Sequence, residues 1–199
     1  MPDPEQCIRD SRGRILARLC PNWLNLDEQQ ALEPVLAALP WQQPEVQIFG
    51  KSHPIPRQQC YLGQPGCDYR YSGLLLTPEP IPAAIDALMA RLDGGFNAVL
   101  VNRYRDGRDR MGWHRDNEPE LAPDLAILSL GGTRRLRLRF DPKDSQGVDL
   151  DSGSLLWLAP GVYHCLAPTA KPVPERVSLT FRRILPGFHR PCPAAGHGV

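Results

Sequence analysis

At 199 residues the chain suits one domain with a sizeable core, and its 42% apolar content is ordinary for a soluble protein. Its 23 basic and 22 acidic residues leave a net charge of +1, so no global basic field points to nucleic acid. No apolar run approaches the ~20 residues a spanning helix needs, and the six cysteines show no Cys-x-x-Cys spacing. A cytoplasmic monomer with reduced thiols and no membrane partner is the expectation.

Residues 1–20 are expected to form a largely polar arm, with the apolar stretch 15–19 docking on the core. Asp27 is placed to cap a helix over 28–39, where Leu32, Val35, Leu36 and Leu39 recur at helical spacing and Pro40 stops it. Residues 45–50 read as a short strand ending at Gly50. Residues 53–73, rich in Pro, Gly and aromatic side chains, read as a long loop carrying Tyr61, Tyr69 and Tyr71. Such a loop in a compact domain is often a lid.

Pro82 opens a second predicted helix through Leu92, with Ile85, Leu88, Met89 and Leu92 on its inner stripe and Gly94 and Gly95 ending it. From there the apolar period changes to two. Strands are predicted over 96–104, 125–130, 136–140, 154–158 and 176–184, and the stretch 141–152 reads as a short acidic loop. Two helices followed by many short strands indicate an α+β fold whose strand half closes as a sandwich or jelly roll over a site. The tail after Pro186 is expected to be irregular, with His189 and His197 exposed.

Chemistry concentrates in the stretch 111–118, where His114 and Asp116 stand two apart. Alternate residues of a strand share a face, so this imidazole and carboxylate can address one metal ion, with His164 as a third ligand. Two histidines and one carboxylate leave metal positions open, as in non-haem Fe(II) oxygenases. The same pair also suits a hydrogen-bonded surface couple. In Arg-Val-Ser-Leu-Thr-Phe-Arg, residues 176–182, Arg176, Ser178, Thr180 and Arg182 share one face and Val177, Leu179 and Phe181 the other. The polar face reads either as wet or as a pocket wall whose guanidinium forks grip carboxylates. Arginines at 103, 105, 108, 110 and 115, and a second cluster over 134–139, form rims able to hold phosphates.

Four motifs, in order, resemble the AlkB family of Fe(II)- and 2-oxoglutarate-dependent nucleic-acid demethylases. They are Asn-Arg-Tyr-Arg-Asp-Gly (102–107), Trp-His-Arg-Asp-Asn-Glu-Pro-Glu-Leu (113–121), the Gly-Ser-Leu-Leu strand leading to His164, and the run 176–182. The resemblance covers about 46–184. It implies a single domain over 1–199, with N-terminal helices, a nucleotide-recognition lid at about 45–75 and a double-stranded β-helix (jelly roll) at about 96–185. His114, Asp116 and His164 would be the catalytic iron ligands. Arg176 and Tyr104 would take the distal carboxylate of 2-oxoglutarate, and Asn102 and Arg182 its chelating end, with Thr180 and Ser178 lining the pocket. Ser178 stands where the family usually has Asn. Six residues of strand span ~20 Å, so the two arginine side chains must converge.

The front half, with Val-Gln-Ile-Phe-Gly-Lys (46–51), Pro-Arg-Gln (56–58) and Tyr-Arg-Tyr-Ser-Gly (69–73), is most similar to the animal member that repairs duplex DNA. By that resemblance Phe49 would wedge into the base stack, and Tyr71 and His114 would sandwich a flipped base. Tyr69 and Glu118 would reach its polar edge and Arg57 the strand. The implied reaction is oxidative demethylation of N-alkylated bases in DNA, of the 1-methyladenine and 3-methylcytosine type, using Fe(II), 2-oxoglutarate and O2 and releasing formaldehyde, succinate and CO2. Competing expectations are the same chemistry on RNA or transfer RNA, and a binding module weakened by Ser178.

Overall fold

Alternation of apolar and polar residues governs most of the chain, and the computed structural model, which describes residues 5–48, 50–71 and 73–189, is built mainly of strands. The N-terminal stretch departs from the expected arm. β1 (Gln6–Arg9) and β2 (Ile15–Cys20) form an antiparallel hairpin, and Leu16, Ala17 and Leu19 of β2 are buried. Exposed alternate residues gave this edge its polar composition.

α1 (Leu26–Ala37) begins earlier than read, because Asn25 rather than Asp27 caps it. The Glu28 backbone N–H donates to Asn25 Oδ1 at 2.9 Å and the Asn25 N–H to Glu28 Oε2 at 2.8 Å, a reciprocal capping box. Pro34 lies on the exposed face, where water can satisfy the carbonyl its missing N–H leaves behind.

The expected long loop is mostly strand. β3 (Glu45–Ile48) is the short strand expected before it and makes a small hairpin with β4 (Lys51–Pro54), β5 (Gln58–Gly63) enters a large sheet, and β6 (Tyr69–Tyr71) pairs with β7 (Leu74–Leu76). The prolines that suggested a loop sit mainly at strand ends and in the connections. Phe49 lies outside the described residues.

α2 (Ala83–Ala90) follows Pro82 at its N-cap. Then come β8 (Ala98–Tyr104), β9 (Met111–His114), β10 (Leu121–Gly131), β11 (Arg134–Asp141), β12 (Asp144–Leu150), β13 (Leu155–Leu158), β14 (Tyr163–Leu166) and β15 (Arg176–Ile184). β12 replaces the predicted acidic loop: Val148 and Leu150 are its buried alternates, hidden in the sequence among Asp, Ser, Gln and Gly.

Seven strands form one sheet in the order β1-β2-β13-β10-β15-β8-β5, and four form a second in the order β12-β11-β14-β9. This is the jelly roll expected. On the outer face of the larger sheet Val99, Val101, Ala126, Leu128, Leu130, Val177, Leu179 and Phe181 meet Leu32, Leu36, Ile85, Leu88 and Met89 of the helices. Between the sheets Leu125 and Ile127 face Leu136, Leu138 and Leu166. Fully burying each such leucine stabilises the fold by about 1.5–3 kcal/mol. β15 is therefore buried on both faces, and its polar alternates point between the sheets.

Candidate metal and cosubstrate site

β9 and β14 pair so that His114 stands directly opposite His164, and their ring centroids lie 4.1 Å apart. Asp116, just past the end of β9, joins them; one ligand atom from each residue lies within 4.8 Å of the others. His114 Nδ1 donates to the Gly112 carbonyl at 2.9 Å and His164 Nδ1 approaches the Val162 carbonyl at 3.3 Å. A carbonyl can only accept, so both Nδ1 atoms carry a proton, and in the neutral tautomer the lone pair lies on Nε2, available to a metal. Asp116 Oδ1 accepts from Arg182 Nη2 at 2.8 Å, while Oδ2 is buried without a hydrogen-bond partner among the described residues and lies 3.4 Å from His164 Nε2. An orphaned carboxylate oxygen beside two imidazole lone pairs is the donor set a divalent iron takes.

Electrostatics hold Asp116 and His164 in metal-ready protonation. Burial would raise the Asp116 carboxyl, but Arg182 and the two histidines outweigh it and keep the group well below the usual carboxylate range. Burial, with repulsion from His114, pushes His164 down to about 4 against the pull of Asp116, so its ring is neutral near pH 7.

Register across three strands assembles the polar wall. Ser178 pairs with Asn102 of β8 and Ser129 of β10, and Arg176 pairs with Tyr104. Tyr71, Asn102, Tyr104, His114, His164, Arg176, Ser178, Thr180 and Arg182 all line one cavity, and Met111, Ile127, Leu136 and Leu166 supply its apolar side. It encloses ≈30 Å³. A roomier groove of ≈510 Å³ between α1 and the larger sheet contains none of the predicted site residues.

Arg176 Nη2 donates to Ser129 Oγ at 2.8 Å and its guanidinium faces the Tyr104 ring at 5.5 Å. Burial lowers it to about 10. Arg134, not singled out in the sequence, lies 6.0 Å from the same ring and donates to the carbonyls of Asp106, Asp109 and Ala167. Two buried cations thus flank Tyr104. Strand parity was the available signal: Arg134 shares the inward face with Leu136 and Leu138, while Arg135 and Arg137 are exposed.

The predicted base-binding residues are distributed differently. Tyr71 sits with its ring edge-on to His114, centroids 6.3 Å apart, and its hydroxyl lies 3.3 Å from Met111 Sδ. Tyr69 is fully buried with its hydroxyl 3.4 Å from Asp116 Oδ1. Glu118 is half-buried and accepts from the Asn117 N–H at 3.0 Å. Arg57, expected at the strand, is buried and turns inward, its Nε donating to Asn102 Oδ1 at 2.9 Å. On the outer face of the smaller sheet, Arg139 lies 3.9 Å and Arg137 5.9 Å from the Trp113 ring, and Arg115 lies 5.1 Å from Tyr163. His189, expected exposed, is bonded to Glu120, and His197 lies outside the described residues.

Residues 17–182 match the model of the 2OG-Fe(II) oxygenase superfamily. DNA oxidative demethylase ALKBH2 of Mus musculus is 41% identical over 163 residues, covering 71% of this chain and 67% of that protein. The Homo sapiens protein of the same name is 40% identical over 161 residues, covering 70% and 61%. The aligned part of the chain thus spans about two thirds of the mouse relative and less than two thirds of the human one. Among solved structures, that titled "The structure of OsALKBH1" superposes with a TM-score of 0.62 at 19% identity, over 90% of this chain and 100% of that one, a likeness of fold.

Proposed function

Because the chain belongs to the 2OG-Fe(II) oxygenase superfamily, we propose that it is a DNA oxidative demethylase acting on N-methylated bases of the 1-methyladenine and 3-methylcytosine type. The observation that carries this is the His114–Asp116–His164 donor set, whose two histidines line the same cavity as the Arg176 guanidinium. The identity to ALKBH2 across most of the chain supports the choice of substrate.

His114 and His164 would hold iron through Nε2 and Asp116 through Oδ2. Iron with 2-oxoglutarate and O2, when bound, supplies the oxidation of an N-methyl group that ends in formaldehyde, succinate and CO2. Arg176 and Tyr104 receive the distal carboxylate of the cosubstrate, with Arg134 adding positive potential, and Arg182 and Asn102 lie toward the metal end. Thr180 and Ser178 form the wall between. Arg57 serves this pocket indirectly: by donating to Asn102 Oδ1 it turns the amide NH2 of Asn102 toward the cavity.

The strands over 45–75 act as the lid that receives the flipped base. Tyr71 offers a π face beside His114, worth roughly 1–2 kcal/mol to a cationic methylated base over a neutral one, and Glu118 favours the same charge. Tyr69 steadies Asp116 from below. The Arg115, Arg137 and Arg139 face around Trp113 suits flanking phosphates. No helix among the described residues is long and apolar enough to cross a membrane, and free Cys60, Cys67 and Cys165 suit a monomer in a reducing cytoplasm.

The test is to admit oxygen to the Fe(II) protein with 2-oxoglutarate, with and without a 1-methyladenine oligodeoxynucleotide, and to measure succinate and formaldehyde together. One formaldehyde per succinate, only with the oligonucleotide, is expected. Succinate without formaldehyde would remove the substrate assignment.

A further inference from the structure

The hairpin that carries Tyr69 and Tyr71 belongs to neither large sheet: among the described residues β6 and β7 pair only with each other. A two-stranded hairpin is marginal in isolation, so its seat depends on what it touches. The Tyr69 ring packs, tilted, against Tyr61 on one side and Tyr71 on the other, with centroids 5.9 and 5.7 Å away. Between them in sequence, the backbone N–H of Arg70 donates to Glu120 Oε1 at 2.8 Å.

The same oxygen accepts from His189 Nε2 at 2.7 Å, and the Glu120 side chain is 1% exposed. Glu120 also takes the Leu185 N–H on its backbone carbonyl at 2.8 Å, and the Gly187 N–H reaches the Gly66 carbonyl at 2.8 Å. One buried carboxylate therefore joins three segments: the connection that carries Asp116, the tyrosine hairpin, and the tail beyond β15. Burial by itself would raise the Glu120 carboxyl, yet His189 and the Arg70 N–H bring it below its ordinary value, so it stays ionised and holds both donors.

We infer that Glu120 and His189 form a latch seating the hairpin, and with it Tyr69 and Tyr71, against the metal site, which makes both of them positioning residues for the methylated base. This rests on the demethylase reading for the identity of the base. It assigns the segment 185–189 a role: it closes the base pocket from behind, without touching substrate.

The test compares full-length wild type, His189→Ala and His189→Gln, whose amide can still donate to Glu120. Expected in His189→Ala is amide exchange at 69–76 faster by about tenfold, with β8 and β15 unchanged. The KM for the methylated oligonucleotide should rise about tenfold, while kcat and the KM for 2-oxoglutarate stay near wild type. His189→Gln should restore both. Unchanged hairpin exchange, equal acceleration across β8 and β15, or a fall in kcat without a change in oligonucleotide KM would each overturn the latch. A wild type that demethylates no oligonucleotide would sink the functional reading instead, and the exchange comparison would still decide whether His189 seats the hairpin.

Discussion

Two arginines on one face of β15, Arg176 and Arg182, are both almost completely buried, and their surroundings are opposite. Arg182 is paired at 2.8 Å with Asp116, whose carboxylate outweighs burial and raises it above its ordinary value. Arg176 has a serine hydroxyl, an aromatic face and a second cation, Arg134, for neighbours, and burial lowers it. A buried charge without a counter-ion is costly to a fold. The difference separates a residue that balances the Asp116 carboxylate from one that has no carboxylate paired to it among the described residues.

The largest expected effect comes from cutting the balanced end. Arg182→Met leaves the Asp116 carboxylate buried without its cation, and the metal-free protein should lose about 3–5 kcal/mol in urea unfolding. Acid should act on the same end. The folded-state value of His164, about 4, lies below its ordinary 6.5, so its contribution is fully present above 6.5 and is lost as pH falls toward 4. The metal-free protein should thus be less stable at pH 5 than at pH 7, with a full loss on the order of 3 kcal/mol by pH 4. Asp116, held below the usual range, gives way only at lower pH still.

The other end should respond in reverse. Arg176→Met removes a cation that has no counter-ion among the described residues, so stability should hold or rise by about 1 kcal/mol, while the KM for 2-oxoglutarate rises about a hundredfold through the lost charge-assisted bonds. A large stability loss here would collapse the distinction between the two arginines. The smallest effect is expected between them: Ser178→Asn adds an amide donor beside Asn102 and should lower the 2-oxoglutarate KM by about two- to threefold.

The site was legible where chemistry followed strand parity. Arg176, Ser178, Thr180 and Arg182 line one cavity because period two put them on one face, and His114 with Asp116 stood out by spacing. Less legible was anything set by neighbours. Nothing in Pro-Arg-Gln shows that Arg57 turns inward to Asn102, and Arg134 looked like one more rim arginine until pairing fixed which alternates face in. β1 and β12 passed for arm and loop because an edge strand half exposed to water needs few apolar residues. His189 reads as exposed in the sequence because its partner, Glu120, is distant along the chain.

β15 lies inside the larger sheet with neighbours on both sides, whereas β9 is the outermost strand of the smaller one and the chain leaves it at His114, two residues before Asp116. The two halves of the site therefore have different lifetimes. On warming, the outer strand frays first and iron departs while the arginine wall is still intact. Heat inactivation should accordingly begin as a reversible step, undone by cooling with fresh Fe(II), and become permanent only when the central strands separate.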